Sequence, residues 1–166
     1  LKNYLQIEKV FEDLGVQKPF LCCGNSFMNT KIKKYIDKFN PVVFNNIRPN
    51  PRYEDMLEAA KIFNENKCDF IIGAGGGSPL DSAKMIKLLS TNMKNKNCLI
   101  DKMDSNNIGF LAIPTTSGTG SEATRYSIFY VNENEKHSIS HPDFLPEYVI
   151  LDESLLESVP LYQRRC

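Results

Sequence analysis

Apolar residues near the start of the chain recur at helical spacing. Tyr4, Leu5, Ile7, Val10, Phe11 and Leu14 predict a helix over residues 4–14 that stops at Gly15. Residues 19–23 (PFLCC) form a short apolar run, the signature of a buried strand, ending at Gly24-Asn25. A second helical pattern covers residues 27–39, with Phe27, Ile32, Tyr35, Ile36 and Phe39 mostly on one face. Residues 41–44 (PVVF) predict the next strand, and Pro49 and Pro51 delay the following helix to 53–65. Strand 68–72, helix 79–90, a polar excursion over 91–107 and strand 109–113 continue the alternation. Four strand–helix repeats predict an α/β fold with a parallel sheet covered on both faces. After residue 123 the pattern changes. Residues 126–131 (YSIFYV) and 136–140 (KHSIS) flank the polar loop 132–135 and predict a β-hairpin, and residues 148–151 (YVIL) predict a last strand.

Chemistry concentrates where the strand at 68–72 meets its helix. Residues 73–81 read GAGGGSPLD, four glycines within five positions followed by Ser78, Pro79 and Asp81. Ser78 fits a helix N-cap, Pro79 the first helical position, and Asp81 an acidic variant of the capping box. Glycines let a ligand approach the backbone closely, and the N–H groups at a helix start attract an anion such as a nucleotide pyrophosphate. The same pattern also serves ordinary βα turns. The dinucleotide fingerprint GxGxxG is met only as Gly73-x-Gly75-x-x-Ser78, with serine in the third place.

A second loop of small residues follows strand 109–113. Residues 114–122 read PTTSGTGSE, and a short helical turn is predicted over 118–123. Thr115, Thr116, Ser117, Thr119 and Ser121 supply hydroxyls that both donate and accept. In an open α/β sheet, ligands bind beyond the carboxyl ends of the strands, so both loops point to one nucleotide crevice.

Composition sets limits on the alternatives. The 166 residues are 42% hydrophobic and 24% charged, with zero formal net charge, which argues against an electrostatic nucleic-acid binder. No apolar run approaches the roughly 20 residues of a membrane span. Cys22, Cys23, Cys68, Cys98 and Cys166 have no zinc-finger spacing and read as buried reduced thiols, which suits a cytoplasmic protein. His137 and His141 both lie in the hairpin region and read as surface or packing residues. No metal ligands and no catalytic residues are assigned to this chain.

Taken together, PNPRYED at 49–55, GAGGGSPLDSAK at 73–84, IPTTSGTGSEAT at 113–124 and LPEYVILDESLLESVP at 145–160 carry a resemblance. The chain resembles the N-terminal NAD(P)-binding domain of the iron-containing (group III) alcohol dehydrogenases, over nearly its whole length. The resemblance implies reversible oxidation of an alcohol to an aldehyde or ketone, with NAD or NADP as cofactor. It implies that Gly76, Gly77 and Ser78 hold the pyrophosphate, and that Asp81 orders the loop or reaches the nicotinamide side. Thr115, Thr116, Thr119 and Lys136 contact the cofactor on the same basis, and Asn50 lies near the adenine. Members using NAD often carry an aspartate after the first strand. Here that place falls on Gly24 or Asn25, and the missing carboxylate leans toward NADP.

The family's helical second domain, with one Asp and three His as ligands for iron or zinc, is expected beyond Cys166. The chain therefore reads as one cofactor-binding domain over 1–166, truncated at both ends and inactive alone. A homodimer is possible, and the small-molecule alcohol or aldehyde is unspecified. Two other readings stand beside this one: a stand-alone nucleotide-binding module, and a glycerol dehydrogenase or dehydroquinate synthase-like relative.

Overall fold

The computed structural model describes residues 3–93, 103–132 and 135–156. Its centre is a five-stranded parallel sheet. The strands are β1 (Pro19–Cys23), β2 (Val42–Phe44), β3 (Phe70–Gly75), β4 (Gly109–Pro114) and, after the hairpin, β7 (Tyr148–Val149), in the order β2-β1-β3-β4-β7. The hairpin strands β5 (Tyr126–Val131) and β6 (Glu135–Ser140) form a separate antiparallel pair. The helices are α1 (Ile7–Leu14), α2 (Lys31–Ile36), α3 (Tyr53–Glu65) and α4 (Gly77–Asn92).

Both faces of the sheet are covered, so β1 and β3 are buried at every position. On one face Phe20, Ile71 and Phe110 pack with Met56 and Phe63 of α3, Leu80 and Leu89 of α4, Phe129 of the hairpin and Phe144. On the other, Leu21, Ile72 and Leu111 pack with Val10 and Phe11 of α1, Ile32 and Ile36 of α2, and Leu155. Gly15 ends α1 in the left-handed conformation, φ +66°.

Several boundaries depart from the periodic reading, among them the last strand, which ends at Val149 instead of residue 151. The helix expected at 27–39 is a 3-10 turn (Asn25–Asn29), α2 and a second 3-10 turn (Asp37–Phe39). Thr30 separates the first two because its hydroxyl accepts from Lys33 N and caps α2. The strand expected at 68–72 runs to Gly75, since Gly73 pairs with both Cys22 and Ala112. Glycine at 73 serves packing there: an added β-carbon would lie 2.8 Å from Ala83 Cβ of α4. After β4 the chain crosses to β7 through the hairpin and a short 3-10 turn (Ser121–Ala123), which falls within the helical turn expected over 118–123. Within the hairpin, Glu135 pairs with Val131, so the loop is shorter than expected by that residue.

The polar excursion lies partly outside the described residues, as do Cys98 and Cys166. Its end is pinned: Asn92 Oδ1 accepts Asp104 N and its Nδ2 donates to Asp104 O, both at 2.9 Å. No helix among the described residues is long and apolar enough to cross a membrane.

Candidate functional site

Parallel pairing brings the ends of β1, β3 and β4 to one edge of the sheet. Gly24 N donates to Ala74 O at 3.2 Å, and Thr115 N to Gly75 O at 2.9 Å, so the loops after all three strands leave side by side. Gly75 has φ +145°, and an added β-carbon would meet Pro79 Cγ at 2.6 Å; only glycine fits this bend. Helix α4 begins at Gly77 with Gly76 as its N-cap and no side-chain cap. This corrects the sequence reading of Ser78 as cap, Pro79 as first helical residue and Asp81 as capping-box partner. Pro79 is tolerated at the third helical position because that N–H would have no intrahelical partner. The first helical bond runs from Leu80 N to Gly76 O.

The two loops touch at this helix start. A β-carbon on Gly76 would sit 3.4 Å from Thr116 Oγ1, and one on Gly77 3.4 Å from Thr119 Cγ2. Thr116 Oγ1 is buried without a hydrogen-bond partner among the described residues. Free helix amides, small residues and an orphaned hydroxyl thus converge on one spot, which fits the phosphates of a dinucleotide.

Asp81 binds protein instead of capping. Its Oδ1 accepts from Ser121 Oγ at 2.6 Å and its Oδ2 from Ile128 N at 3.1 Å, tying α4 to the second loop and to β5. Lys84, one turn on, is fully buried. Its Nζ donates to Ser121 Oγ (3.0 Å), Thr124 Oγ1 (3.2 Å) and Tyr126 O (2.7 Å), and lies 3.7 Å from Asp81 Oδ1. Burial pushes its pKa below the ordinary 10.5, opposed by the charges of Asp81 and Glu122.

Between the helix start and the hairpin lies a cleft of about 490 Å³. Of the sequence-predicted residues it brings together Asn50, Gly77, Ser78, Asp81, Thr119 and Lys136. Asn50 adopts φ +60°. Tyr130 N donates to Pro51 O at 2.9 Å, and Lys136 is Tyr130's cross-strand partner, so the loop after β2 and the hairpin approach one another. Asn25, Gly76, Thr115 and Thr116 stand at the same end of the sheet but outside this lining. Asn25 Oδ1 accepts from Asn45 Nδ2 at 3.1 Å, and Thr116 faces a second hollow, of about 420 Å³, with Glu122, Asp152 and Glu153.

Sequence reasoning named Ser121 only among the loop hydroxyls and missed Thr124, Tyr126, Tyr130 and the buried Lys84. Tyr126 is half exposed on the cleft wall. Strand alternation in YSIFYV is the signal that exposes it: Ser127 and Phe129 are fully buried, leaving Tyr126, Ile128 and Tyr130 on the cleft side.

Among the described residues, no three His, Cys, Asp or Glu stand together to hold a metal ion. His137 stacks on Phe129 with Nε2 3.3 Å from Glu135 Oε1, and His141 Nδ1 accepts from Asp143 N. These residues do not fit a metal centre, and no step through one is derived from them. Cys22, Cys23 and Cys68 are buried and unbridged. Burial raises all three thiols, Cys23 and Cys68 to about 11.

The family model for iron-containing alcohol dehydrogenase matches residues 2–153. Over 94% of its length the chain is 30% identical to the long-chain primary alcohol dehydrogenase AdhA of Thermoanaerobacter ethanolicus, covering 42% of that protein. Over 69% of its length it is 30% identical to the NADPH-dependent butanol dehydrogenase of Clostridium saccharobutylicum, covering 31% of it. The crystal structure of sulfoacetaldehyde reductase from Bifidobacterium kashiwanohense in complex with NAD+ superposes on 96% of the chain. That match has a TM-score of 0.86 and 25% identity, and spans 45% of the solved chain. The chain thus spans less than half the length of each of these relatives.

Proposed function

The chain belongs to the iron-containing alcohol dehydrogenase family, and from that premise we propose that residues 1–166 are the NAD(P)-holding domain of an alcohol dehydrogenase. The observation that carries the reading is the meeting of Gly76 and Gly77 with Thr116 and Thr119 at the uncapped start of α4. Backbone amides there hold the pyrophosphate, with Ser78, Thr115, Thr116 and Thr119 as hydroxyl partners. Asn50 takes the adenine side and Lys136 reaches the cofactor from the hairpin. Asp81 orders the site, in keeping with both its oxygens accepting from protein. When bound, the nicotinamide supplies or receives the hydride that interconverts alcohol and carbonyl.

The contribution of the chain's own residues is orientation. Tyr126, Ile128 and Tyr130 form a partly apolar wall that keeps water from one side of the cleft. Neither Gly24 nor Asn25 offers a carboxylate to the ribose, and we place NADP ahead of NAD on that ground. Relatives named for NADPH and solved with NAD+ support the broader pair. On this reading the described residues hold and orient the cofactor and offer no cluster of ligands for a metal.

The test is a fluorescence titration of the purified chain with NADH and with NADPH. Saturable binding of both, tighter for NADPH, is expected. No binding of either to a folded sample overturns the cofactor reading.

A further inference from the structure

Lys84 does not line the cleft, yet it is fully buried and bonded to residues that do. An ammonium carries three donors and no acceptor, and each donor here meets one oxygen: Ser121 Oγ, Thr124 Oγ1 and the Tyr126 carbonyl. All three acceptors belong to the segment that leaves the second loop and enters β5. All three of those residues, Ser121, Thr124 and Tyr126, line the cleft themselves. Asp81 reaches Ser121 and Ile128 from the side, while Lys84 fills the space between helix and segment.

Thr119 precedes this segment by two residues and packs where Gly77 would carry a side chain, at the helix N-terminus. Beyond the Thr115 N to Gly75 O bond at their starts, the second loop is held to α4 by Lys84 and Asp81 and by Ser127 Oγ, which donates to the Asp81 carbonyl at 2.9 Å.

We infer that Lys84 is a positioning residue, whose buried ammonium holds residues 121–126 against α4 and so fixes the spacing of the two loops that grip the dinucleotide. This rests on the proposed cofactor function and deepens it: the role acts through Ser121, Thr124 and Thr119, without contact to the ligand. The pyrophosphate is common to NADH and NADPH, so the effect falls on both alike.

The experiment compares wild type and Lys84→Met by fluorescence titration with NADH and NADPH, with circular dichroism and thermal midpoints on the same samples. Both dissociation constants are expected to rise by about tenfold or more, their ratio unchanged, with the fold retained. Should Lys84→Met fail to fold, Thr124→Val removes one acceptor at constant shape and is expected to weaken both ligands by several-fold. Wild-type dissociation constants retained in a folded Lys84→Met, or in Thr124→Val where the first does not fold, overturn the positioning role. So does a change in the NADH to NADPH ratio, which would mean a ribose contact. Wild-type protein that binds neither ligand overturns the cofactor reading itself, a result distinct from the others.

Discussion

Asp81 Oδ2 accepts the amide of Ile128 at 3.1 Å, joining the first turns of α4 to the middle of β5 across 47 positions of sequence. The other oxygen of the same carboxylate takes Ser121 Oγ at 2.6 Å. Asparagine keeps one acceptor and loses both the second acceptor and the charge facing Lys84. Asp81→Asn is expected to cost about 1.5–3 kcal/mol, read as a lower urea midpoint with an unchanged slope.

Gly75 and Gly77 differ in what they do. Gly75→Ala places a β-carbon 2.6 Å from Pro79 on a backbone with φ +145°. It is expected to destabilise by about 2–4 kcal/mol in the same urea assay. Gly77→Val meets Thr119 only at van der Waals distance. It should leave stability within about 1 kcal/mol of wild type and abolish dinucleotide binding by filling the phosphate cradle.

Glu147 serves two partners: its Oε1 lies 2.9 Å from Lys87 Nζ and its Oε2 accepts Phe110 N at 2.7 Å. The lysine is almost wholly buried while the carboxylate is half exposed. Glu147→Ala strands a buried ammonium and a strand amide, with an expected cost of about 2–3 kcal/mol by chemical denaturation.

Alkaline pH separates two buried chemistries of opposite sign. Cys23 and Cys68 keep their protons to about 11 when folded, against an ordinary 9.0. Between those values the folded chain binds more protons, so stability falls as pH rises through the window. Lys84 is shifted below its ordinary 10.5, so the unfolded chain binds more protons there and stability rises with pH up to that value. Thermal midpoints from pH 8 to 11 should fall more steeply for Lys84→Met than for wild type, and less steeply for Cys23→Ala/Cys68→Ala.

Where one periodicity rules, the fold is legible in the sequence. The bounds of β1, β5 and α3 follow from alternation, apolar runs and the proline-delimited loop before Tyr53. The start of α4 does not. Ser78, Pro79 and Asp81 make a plausible cap, but β3–β4 pairing continues to Gly75 opposite Pro114 and pulls the helix back to Gly77. Lys84 looks like an ordinary helix residue, and the partners of Asp81 are not legible, because these contacts lie 37 to 47 positions away. Of the cleft, Asn50, Gly77, Ser78, Thr119 and Lys136 follow from the motifs. The β5 contribution needs the hairpin placed over α4, which no local pattern encodes.

The hairpin replaces the crossover helix between β4 and β7, and its strand β5 faces two ways. Phe129 is locked among the core side chains while Ile128 and Tyr130, its neighbours, look into the cleft. One strand is thus core and wall together, and the wall cannot shift without unpacking the core. On the proposed cofactor reading, this wall has little conformational entropy left to lose on binding. The same rigidity restricts which guests the cleft admits.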